Sequence, residues 1–356
     1  MSSAPTNRAF WQDNVNVPSA IRETPIPSKL EDGDILIKAG AWGMNPVDAF
    51  LQHVALPFVK YPLIPGEDVA GTVEAIGPGA AARKFKVGDR VVGYASGAPA
   101  RGAVGRGAFQ EHVVLDANLA AKIPDSMGFA EAVVFPLCMA TAGHALFAEE
   151  YLALPYPRAG GGGGAAPRAG KSVVVWGGAS GVGSNAIQLA RAAGFDVVTT
   201  CSARNFEYVL GLGADKAFDY RGASVVDDVV AEIDKGVCAG VFQAAGPRDA
   251  VGPCCLVSHR SRQKLFVACA NAVPEGAAPE GVQAKFVFGG GDGRVFYYDT
   301  ARVLFGEFLP AALARGEYKV APRPAVVPTR GLEGIQEALD VLKKGVSATK
   351  IVVEAE

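Results

Sequence analysis

A chain of 356 residues, 49% of them hydrophobic and 20% charged, has the composition of an ordinary globular protein and the length for two domains with full cores. The net charge of −2, without any block of Lys or Arg, speaks against a nucleic-acid partner. Residues 1–30 lack the apolar segment of a signal peptide, and no apolar run is judged long enough to span a membrane. We therefore expect a soluble cytoplasmic protein with no membrane partner.

The cysteines and histidines give no sign of a metal site. None of the six cysteines stands in a C-x-x-C pair, and most lie within apolar segments, which favours buried, reduced thiols over disulfides. The four histidines are scattered along the chain. No spacing typical of metal ligands can be assembled from these residues, so no metal is expected.

The first third of the chain is predicted to be rich in β-strands separated by turn residues. The predicted strands are Asp34–Ala39, Val69–Ile76, Arg90–Tyr94 and Phe109–Leu115. Short strands at this spacing favour a small barrel or sandwich. Residues 128–151 then show an Ala-rich helical pattern interrupted at Pro136, and the low-complexity residues 159–170 are predicted to form a surface loop.

From residue 172 onwards, predicted strands and helices alternate. The strands are Ser172–Trp176, Asp196–Thr200, Lys216–Tyr220, Gly240–Ala244 and Lys264–Ala268, and the helices are Ser184–Ala193, Asn205–Leu212 and Val225–Lys235. This alternation predicts βαβ units and a parallel sheet covered on both faces. The rest of the chain is mixed, with helices near 302–315 and 332–344 and a last strand at 350–354.

A glycine-rich turn lies between the first strand of this α/β region and the helix that follows it. Its glycines are Gly177, Gly178, Gly181 and Gly183, a spacing that departs from G-x-G-x-x-G and is also compatible with a tight structural turn. Its place after the first strand favours a dinucleotide-binding turn, because backbone N–H groups and a helix N-terminus there bind phosphate. The residues predicted to contact the cofactor in this turn are Ser180, Gly181, Val182 and Gly183.

The end of the second strand indicates which nicotinamide cofactor is bound. NAD sites usually place an Asp or Glu there for the ribose 2′-hydroxyl, but this strand continues into Cys201-Ser202-Ala203-Arg204-Asn205. Ser202 and Asn205 can donate hydrogen bonds and Arg204 can pair with a 2′-phosphate, so residues 202–205 predict NADPH. Ser202 can also cap the following helix, and the two roles are compatible.

The order of motifs along the chain resembles that of the medium-chain dehydrogenase/reductase superfamily, in particular its zinc-free quinone oxidoreductase and enoyl reductase branches. The matching segments are Asn45-Pro46-Val47-Asp48, residues 65–71 (PGEDVAG), 86–91 (KVGDRV), 107–111 (GAFQE), 140–143 (ATAG), the glycine-rich turn and 213–215 (GAD). Residues 200–206 and 218–221 are similar to fungal trans-acting enoyl reductases, the stand-alone partners of polyketide synthases.

This resemblance implies a two-domain α/β fold. A GroES-like β-barrel catalytic domain would comprise residues 1–126 and 300–356, and a Rossmann-type doubly wound parallel sheet that binds NADP would comprise residues 127–299. Zinc-dependent members of the superfamily carry a Cys in the segment matching 43–48 and a His just before the residue matching Glu67. This chain has no Cys in that segment and has Gly66 at the second position, which implies metal-free reduction.

Metal-free reduction requires a hydrogen-bond donor for the substrate oxygen that becomes negative when an activated C=C bond accepts a hydride. The resemblance points to Thr141 as this donor, at a helix start facing substrate and nicotinamide; the alternative is a helix cap or packing residue. Asn45 is the second candidate catalytic residue, and Asp48 can instead cap a helix.

By resemblance, further residues contact the cofactor or the substrate. The additional cofactor contacts are Asn45, Pro46, Val47, Asp48, Tyr220, Val267, Ala268, Val346 and Ser347, and the substrate contacts are Thr141, Ala142, Gly143, Phe286, Val287, Phe288, Gly289 and Gly290. The fungal group carries a Lys shortly after the segment matching 45–48, where this chain has Ala49-Phe50-Leu51. No residue clearly replaces this Lys as a general acid: His53 is only a weak candidate and is more typical of a surface residue, and water is the other source of the final proton.

The expected function is NADPH-dependent reduction of an enoyl thioester, and the resemblance implies a polyketide synthase as its carrier. The alternatives are a free-standing quinone or enone oxidoreductase acting on small molecules and a non-catalytic NADPH-binding protein. Residues 285–298 cover the segment in which a strand would have to pair with a second subunit to form a dimer. Several glycines interrupt this segment, which favours a monomer.

Overall fold

A computed structural model describes residues 6–57, 59–95, 106–160, 170–288 and 297–356. The strands are β1 Thr6–Trp11, β2 Ala20–Pro25, β3 Asp34–Gly43, β4 Asp68–Ile76, β5 Arg90–Tyr94, β6 His112–Asp116, β7 Ala120–Lys122, β8 Lys171–Trp176, β9 Asp196–Cys201, β10 Lys216–Asp219, β11 Val237–Gln243, β12 Val267–Cys269, β13 Ala284–Phe286, β14 Arg323–Val326 and β15 Thr349–Glu354. The helices are α1 Pro46–Leu51, α2 Phe129–Ala132, α3 Pro136–Phe147, α4 Gly181–Ala192, α5 Phe206–Gly211, α6 Val225–Ile233, α7 Val251–Arg260, α8 Tyr298–Val303, α9 Leu309–Ala314 and α10 Gly334–Lys343, with a π-helical stretch at Leu304–Phe308.

The chain forms two compact units. The first comprises residues 1–137, 290–310 and 323–356, and the second comprises 138–289 and 311–322. These bounds differ from the predicted ones in three places, and packing explains two of the differences. Residues 129–132 belong to the first unit, where the Phe129 ring fills the space that a side chain at Gly40 would need. Residues 311–322 belong to the second unit, where the Tyr318 hydroxyl donates to Asn185 Oδ1 at 2.8 Å.

The first unit is built on a largely antiparallel sheet in the order β14-β15-β3-β4-β5-β7, with β6 paired to β3. The long strand β3 is central, since β4, β6 and β15 all pair with it. Trp42, Phe109 and Leu115 are among the fully buried side chains of its core. This unit agrees with the predicted GroES-like β domain.

The second unit contains a parallel sheet in the order β10-β9-β8-β11-β12-β13. The chain order reverses at β8, so that β9 and β10 lie on one side and β11 to β13 on the other. Ligands of such sheets bind beyond the carboxyl ends of the strands at this reversal. The predicted Rossmann-type sheet is confirmed, and all six cysteines are buried as predicted.

One helical stretch corrects a sequence-based expectation. Residues Phe129–Phe147 are long and apolar enough to cross a membrane by length and composition, whereas no such run was expected. The same stretch is 78% buried inside the protein, which is typical of a core helix.

Candidate functional site

The glycine-rich turn brings the end of β8 against the start of α4. Gly177, whose φ is +88°, and Gly178 donate their N–H groups to the Thr200 carbonyl at 3.1 and 2.9 Å. A Cβ at Gly178 would lie 2.1 Å from Thr199 Oγ1, and a Cβ at Gly183 would lie 2.3 Å from the Gly177 carbonyl oxygen. The turn therefore has no room for side chains at these two positions, and α4 begins directly over the strand end.

Ser180 is the N-cap of α4 and fixes the geometry of the turn. Its hydroxyl donates to the Gly177 carbonyl and accepts from the Gly183 N–H, both at 2.9 Å. The first amides of a helix have no helical partner, and the cap engages only the third of them here. The amides of Gly181 and Val182 are thus placed at a helix N-terminus, an arrangement that fits a phosphate group of a dinucleotide.

Residues beyond the ends of β9 and β10 lie next to each other because these strands are parallel, with Asp219 opposite Cys201. Ser202 is 9% exposed, and its hydroxyl accepts a hydrogen bond from Arg221 Nη2 at 2.7 Å. Ser202 is the N-cap residue of the 3₁₀ turn Ala203–Asn205, as predicted, but its side chain makes no cap hydrogen bond. The backbone carbonyl of Ser202 accepts the Asn205 N–H at 2.8 Å.

The other predicted cofactor residues near this edge are exposed. Ala203 and Arg204 are exposed in a short 3₁₀ turn. Tyr220 is also exposed, and the Arg221 guanidinium carbon lies 5.2 Å from the centre of its ring. A hydrogen bond from Arg221 lowers the pKa of the Tyr220 phenol.

The residues of the parallel sheet that are predicted to contact the nicotinamide are buried. Val267 and Ala268 lie in β12 and are fully buried. The chain continues with the Ala270 N–H donating to the Gln243 carbonyl at 2.8 Å.

Thr141 lies inside α3, in the middle of the helix and not at its start. The predicted helix start is therefore wrong, because α3 already begins at Pro136, a residue suited to a first helical position. Cys138, one turn earlier, approaches the glycine-rich turn: a Cβ at Gly181 would lie 2.6 Å from its Sγ. Residues three apart share a helix face, so Thr141 lies on the α3 face that packs toward α4. Ala142 and Gly143 are buried.

Residues 286–288 of the predicted substrate segment alternate between exposed and buried side chains. Phe286 and Phe288 are 36% and 45% exposed and stack at 5.5 Å between ring centres, whereas Val287 is buried. The Tyr151 hydroxyl holds this segment, donating to the Phe286 carbonyl at 2.9 Å and accepting from the Phe288 N–H at 3.1 Å. Gly289 and Gly290 lie outside the described residues.

In the first unit, Asn45 is at the centre of a buried hydrogen-bonded network. Its Nδ2 donates to Asp68 Oδ2 at 2.9 Å, and its Oδ1 accepts from Lys350 Nζ at 2.6 Å. Lys350 Nζ also donates to Asp68 Oδ2 at 2.6 Å, and Asp68 Oδ1 accepts the Leu137 N–H, near the start of α3, at 2.7 Å. Both ends of the Asn45 amide are therefore held by an ion pair whose members are almost fully buried.

Asp48 joins this network from the first turn of α1. Its Oδ2 accepts the Asn45 backbone N–H at 2.7 Å, so Asp48 does cap α1. Its Oδ1 is buried without a hydrogen-bond partner within the described residues. Burial raises the pKa of Asp48 to about 7.

Burial also raises the pKa of Tyr94 well above its ordinary value, with nearby Glu67 contributing. Pro46 and Val47 are the first two residues of α1.

Sequence reasoning missed Asp68 and Lys350, which are 282 positions apart. No signal in the sequence joins them, and only the structure shows that Gly43 makes room for the buried lysine, since a Cβ there would lie 3.0 Å from Lys350 Cε. The remaining predicted contacts, Val346 and Ser347, are exposed in the loop between α10 and β15.

The described residues offer no metal site. Over residues 6–57, 59–95, 106–160, 170–288 and 297–356, no three His, Cys, Asp or Glu side chains are grouped so that they could hold a metal ion.

Comparisons with known proteins agree with this architecture. The family model of the alcohol dehydrogenase GroES-like domain matches residues 31–125, and that of zinc-binding dehydrogenases matches 181–257. The chain is 41% identical to dehydrogenase orf1 of Aspergillus niger, over 98% of this chain and 99% of that protein. It is 38% identical to trans-enoyl reductase himH of Aspergillus japonicus, over 98% and 97%. The structure of a mycobacterial protein complexed with NADPH is similar with a TM-score of 0.67 and 23% identity, covering 98% of this chain and 99% of that one.

Proposed function

Because this chain belongs to the medium-chain dehydrogenase/reductase superfamily, in the group that includes fungal trans-enoyl reductases, we propose that it is an NADPH-dependent reductase of activated C=C bonds that works without a metal. Members of this superfamily are oxidoreductases that use a nicotinamide cofactor. The choice of NADPH, the enoyl substrate and the independence from zinc are the proposed parts.

The carboxyl edge of the parallel sheet carries the cofactor proposal. The Gly181 and Val182 amides at the capped start of α4 would hold the pyrophosphate. Beyond β9, residues 201–205 contain no carboxylate for a ribose 2′-hydroxyl, and the Ser202 hydroxyl is hydrogen-bonded to a guanidinium. A 2′-phosphate fits such a site because it accepts several charge-assisted hydrogen bonds. The similar mycobacterial structure was solved with NADPH, which supports the same choice.

Thr141 is proposed as the donor to the substrate oxygen. When bound, NADPH supplies the hydride that is added to the carbon β to the substrate carbonyl. The carbonyl oxygen then gains negative charge, and a hydroxyl held on a rigid helix can stabilise it by donating a hydrogen bond. Water is proposed as the source of the proton that the α-carbon receives. Asn45 to Asp48 are proposed to contact the cofactor, with the Asn45 amide fixed in one orientation by Asp68 and Lys350.

The proposed substrate class is an enoyl thioester attached to the carrier protein of a polyketide synthase. The full-length similarity to a relative named trans-enoyl reductase supports it. The exposed Phe286 and Phe288 rings offer apolar surface for an acyl chain. A small quinone or enone is the second candidate, since zinc-free reductases of this superfamily also act on such acceptors.

Steady-state oxidation of NADPH with crotonyl-type thioesters and with quinones tests the proposal. The wild type is expected to consume NADPH with the thioesters. Thr141→Val is expected to lower kcat/KM by about 10²- to 10³-fold because one donor to the oxyanion is lost. Thr141→Ser keeps the hydroxyl and is expected to retain most of the activity.

Three results would contradict parts of the proposal. Activity with quinones alone would favour the free-standing quinone reductase. NADPH binding without turnover on either panel would favour a non-catalytic binding protein. Equal rates for Thr141→Val and the wild type would exclude Thr141 as the donor.

Localisation and assembly are further proposals. The burial of the Phe129–Phe147 stretch supports a cytoplasmic protein without a membrane partner. A monomer is proposed because β13, at the edge of the parallel sheet, is three residues long and offers little backbone for pairing with a second copy. Light scattering coupled to size-exclusion chromatography measures the mass directly, and a mass of twice 36.7 kDa would refute the monomer.

A further inference from the structure

Two arginines stand at the edge of the sheet where a 2′-phosphate would bind, and the structure distinguishes them. Arg204 follows β9, in the turn that sequence reasoning singled out. Arg221 follows β10, on the neighbouring strand. Because the ends of β9 and β10 are in register, Arg221 reaches the residue that directly follows β9 although it is 19 positions away in sequence.

Arg221 is held toward Ser202 by several interactions. Its Nη2 donates to Ser202 Oγ at 2.7 Å, and its guanidinium carbon lies 5.2 Å from the Tyr220 ring centre. The backbone N–H of Arg221 donates to Asp219 Oδ1 at 3.1 Å, so the Asp219 carboxylate is bonded to the backbone of Arg221. A guanidinium packed on an aromatic ring and bonded to a hydroxyl loses less freedom when it binds an anion than a free side chain does.

Arg204 lacks such support. Its side chain is exposed, as is that of Arg221, but within the described part of the chain the Arg204 side chain forms no hydrogen bond, ion pair or ring contact. An anion bound by Arg204 would have to order this side chain at a cost in rotamer entropy. The comparison favours Arg221 as the residue prepared for an anion.

We propose that Arg221, and not Arg204, is the cation that recognises the 2′-phosphate of the cofactor, with the Ser202 hydroxyl as the second donor. This inference rests on the proposed use of NADPH. The Arg221 guanidinium has further N–H groups besides the one bonded to Ser202, and the hydroxyl can turn its hydrogen toward the phosphate when the ligand arrives. Tyr220 positions the guanidinium through ring contact and is a positioning residue.

Calorimetric binding of 2′,5′-ADP and 5′-AMP tests the inference without any turnover, because the two ligands differ only in the 2′-phosphate. The wild type is expected to bind 2′,5′-ADP more tightly. Arg221→Met is expected to weaken 2′,5′-ADP binding by about 10- to 100-fold and to leave the affinity for 5′-AMP unchanged. Arg204→Met, the matched control, is expected to leave both affinities unchanged.

The outcomes separate this inference from the proposed cofactor. A wild type that binds both ligands equally would overturn the proposed NADPH preference and with it this inference. A wild type that prefers 2′,5′-ADP, with the preference lost in Arg204→Met and kept in Arg221→Met, would overturn this inference alone. The unchanged affinity for 5′-AMP shows that a variant is folded, and Arg221→Lys, which keeps the charge, is expected to recover part of the preference.

Discussion

Replacing the buried carboxyl of Asp48 by an amide is expected to change how stability depends on pH. Burial raises the Asp48 pKa from 3.8 to about 7 in the folded protein. The folded state thus keeps a proton that the unfolded chain releases, and this contribution to stability is present below about pH 4 and is lost as the pH rises through 7. The shift of about three pKa units corresponds to about 4 kcal/mol of unfolding free energy lost between pH 4 and pH 8.

Asp48→Asn removes this titration and keeps an oxygen that can accept the Asn45 N–H. Denaturant unfolding of wild type and variant at pH 5, 6, 7 and 8 is the assay, and the variant is expected to gain several kcal/mol relative to wild type toward pH 8. A difference that stays constant from pH 5 to pH 8 would refute the reasoning, because it would mean that Asp48 is already charged in the folded protein.

Asp89→Asn is the matched control for this experiment. Asp89 Oδ2 also accepts a backbone N–H three residues earlier in the chain, from Lys86, at 2.9 Å. Partial desolvation opposes its ionisation, but hydrogen bonds from Lys122 and from the Lys86 backbone outweigh it and lower the pKa of Asp89. Its contribution is therefore present above the unfolded-state pKa and is lost as the pH falls. The advantage of wild type over Asp89→Asn is expected to shrink toward acid pH, the opposite sign.

Two further predictions concern the ion pair and the glycine-rich turn. Lys350→Met leaves the buried Asp68 carboxylate without its cation and is expected to lower the free energy of unfolding, measured by chemical denaturation, by about 3–5 kcal/mol. Recovery of part of this loss in the double variant Lys350→Met/Asp68→Asn would confirm the pairing. A further, additive loss in the double variant would contradict it. Gly183→Ala places a Cβ 2.3 Å from the Gly177 carbonyl oxygen and is expected to weaken NADPH binding at least 10-fold, measured by calorimetry. Gly252 has open space around it in α7, so Gly252→Ala is expected to raise the free energy of unfolding by about 0.5–1 kcal/mol. Equal losses of NADPH affinity in the two variants would contradict the packing argument.

The elements that follow from local pattern were predicted well from the sequence. The strand at Arg90–Tyr94 has the predicted bounds, and the parallel strands β8, β9 and β10 agree within one residue. These segments are short apolar runs bounded by glycine or charged residues, so pattern and burial agree. The hairpin of β1 and β2 was missed although Ala9 and Phe10 of β1 are buried, because β2 gives no apolar pattern: its residues, such as Arg22 and Glu23, are largely polar and exposed.

The fold of the cofactor turn was predictable for a different reason. Glycine is placed where the backbone leaves no room for a side chain, as at Gly178 and Gly183, so the glycines in the sequence predict the tight turn. Side chains that meet across distant strands leave no comparable trace in the sequence. Arg221 meets Ser202 only because β9 and β10 are parallel and in register, and the sequence therefore pointed to Arg204, the cation next to Ser202 in the chain.

The buried network also decides which substitutions can report on catalysis. Asn45→Ala would remove one hydrogen-bond partner from Lys350 Nζ and one from Asp68 Oδ2, and a buried ion pair that loses hydrogen bonds is costly even while the pair itself persists. A fall in activity would then mix loss of a contact with cofactor or substrate with a disturbed first unit. Within the described residues Thr141 has no such tie to an ion pair. Thr141→Val replaces its hydroxyl by a methyl at nearly constant volume, whereas Thr141→Ser keeps the hydroxyl and removes only the methyl. The Thr141 variants therefore separate chemistry from folding, whereas an Asn45 variant needs an unfolding measurement beside every rate.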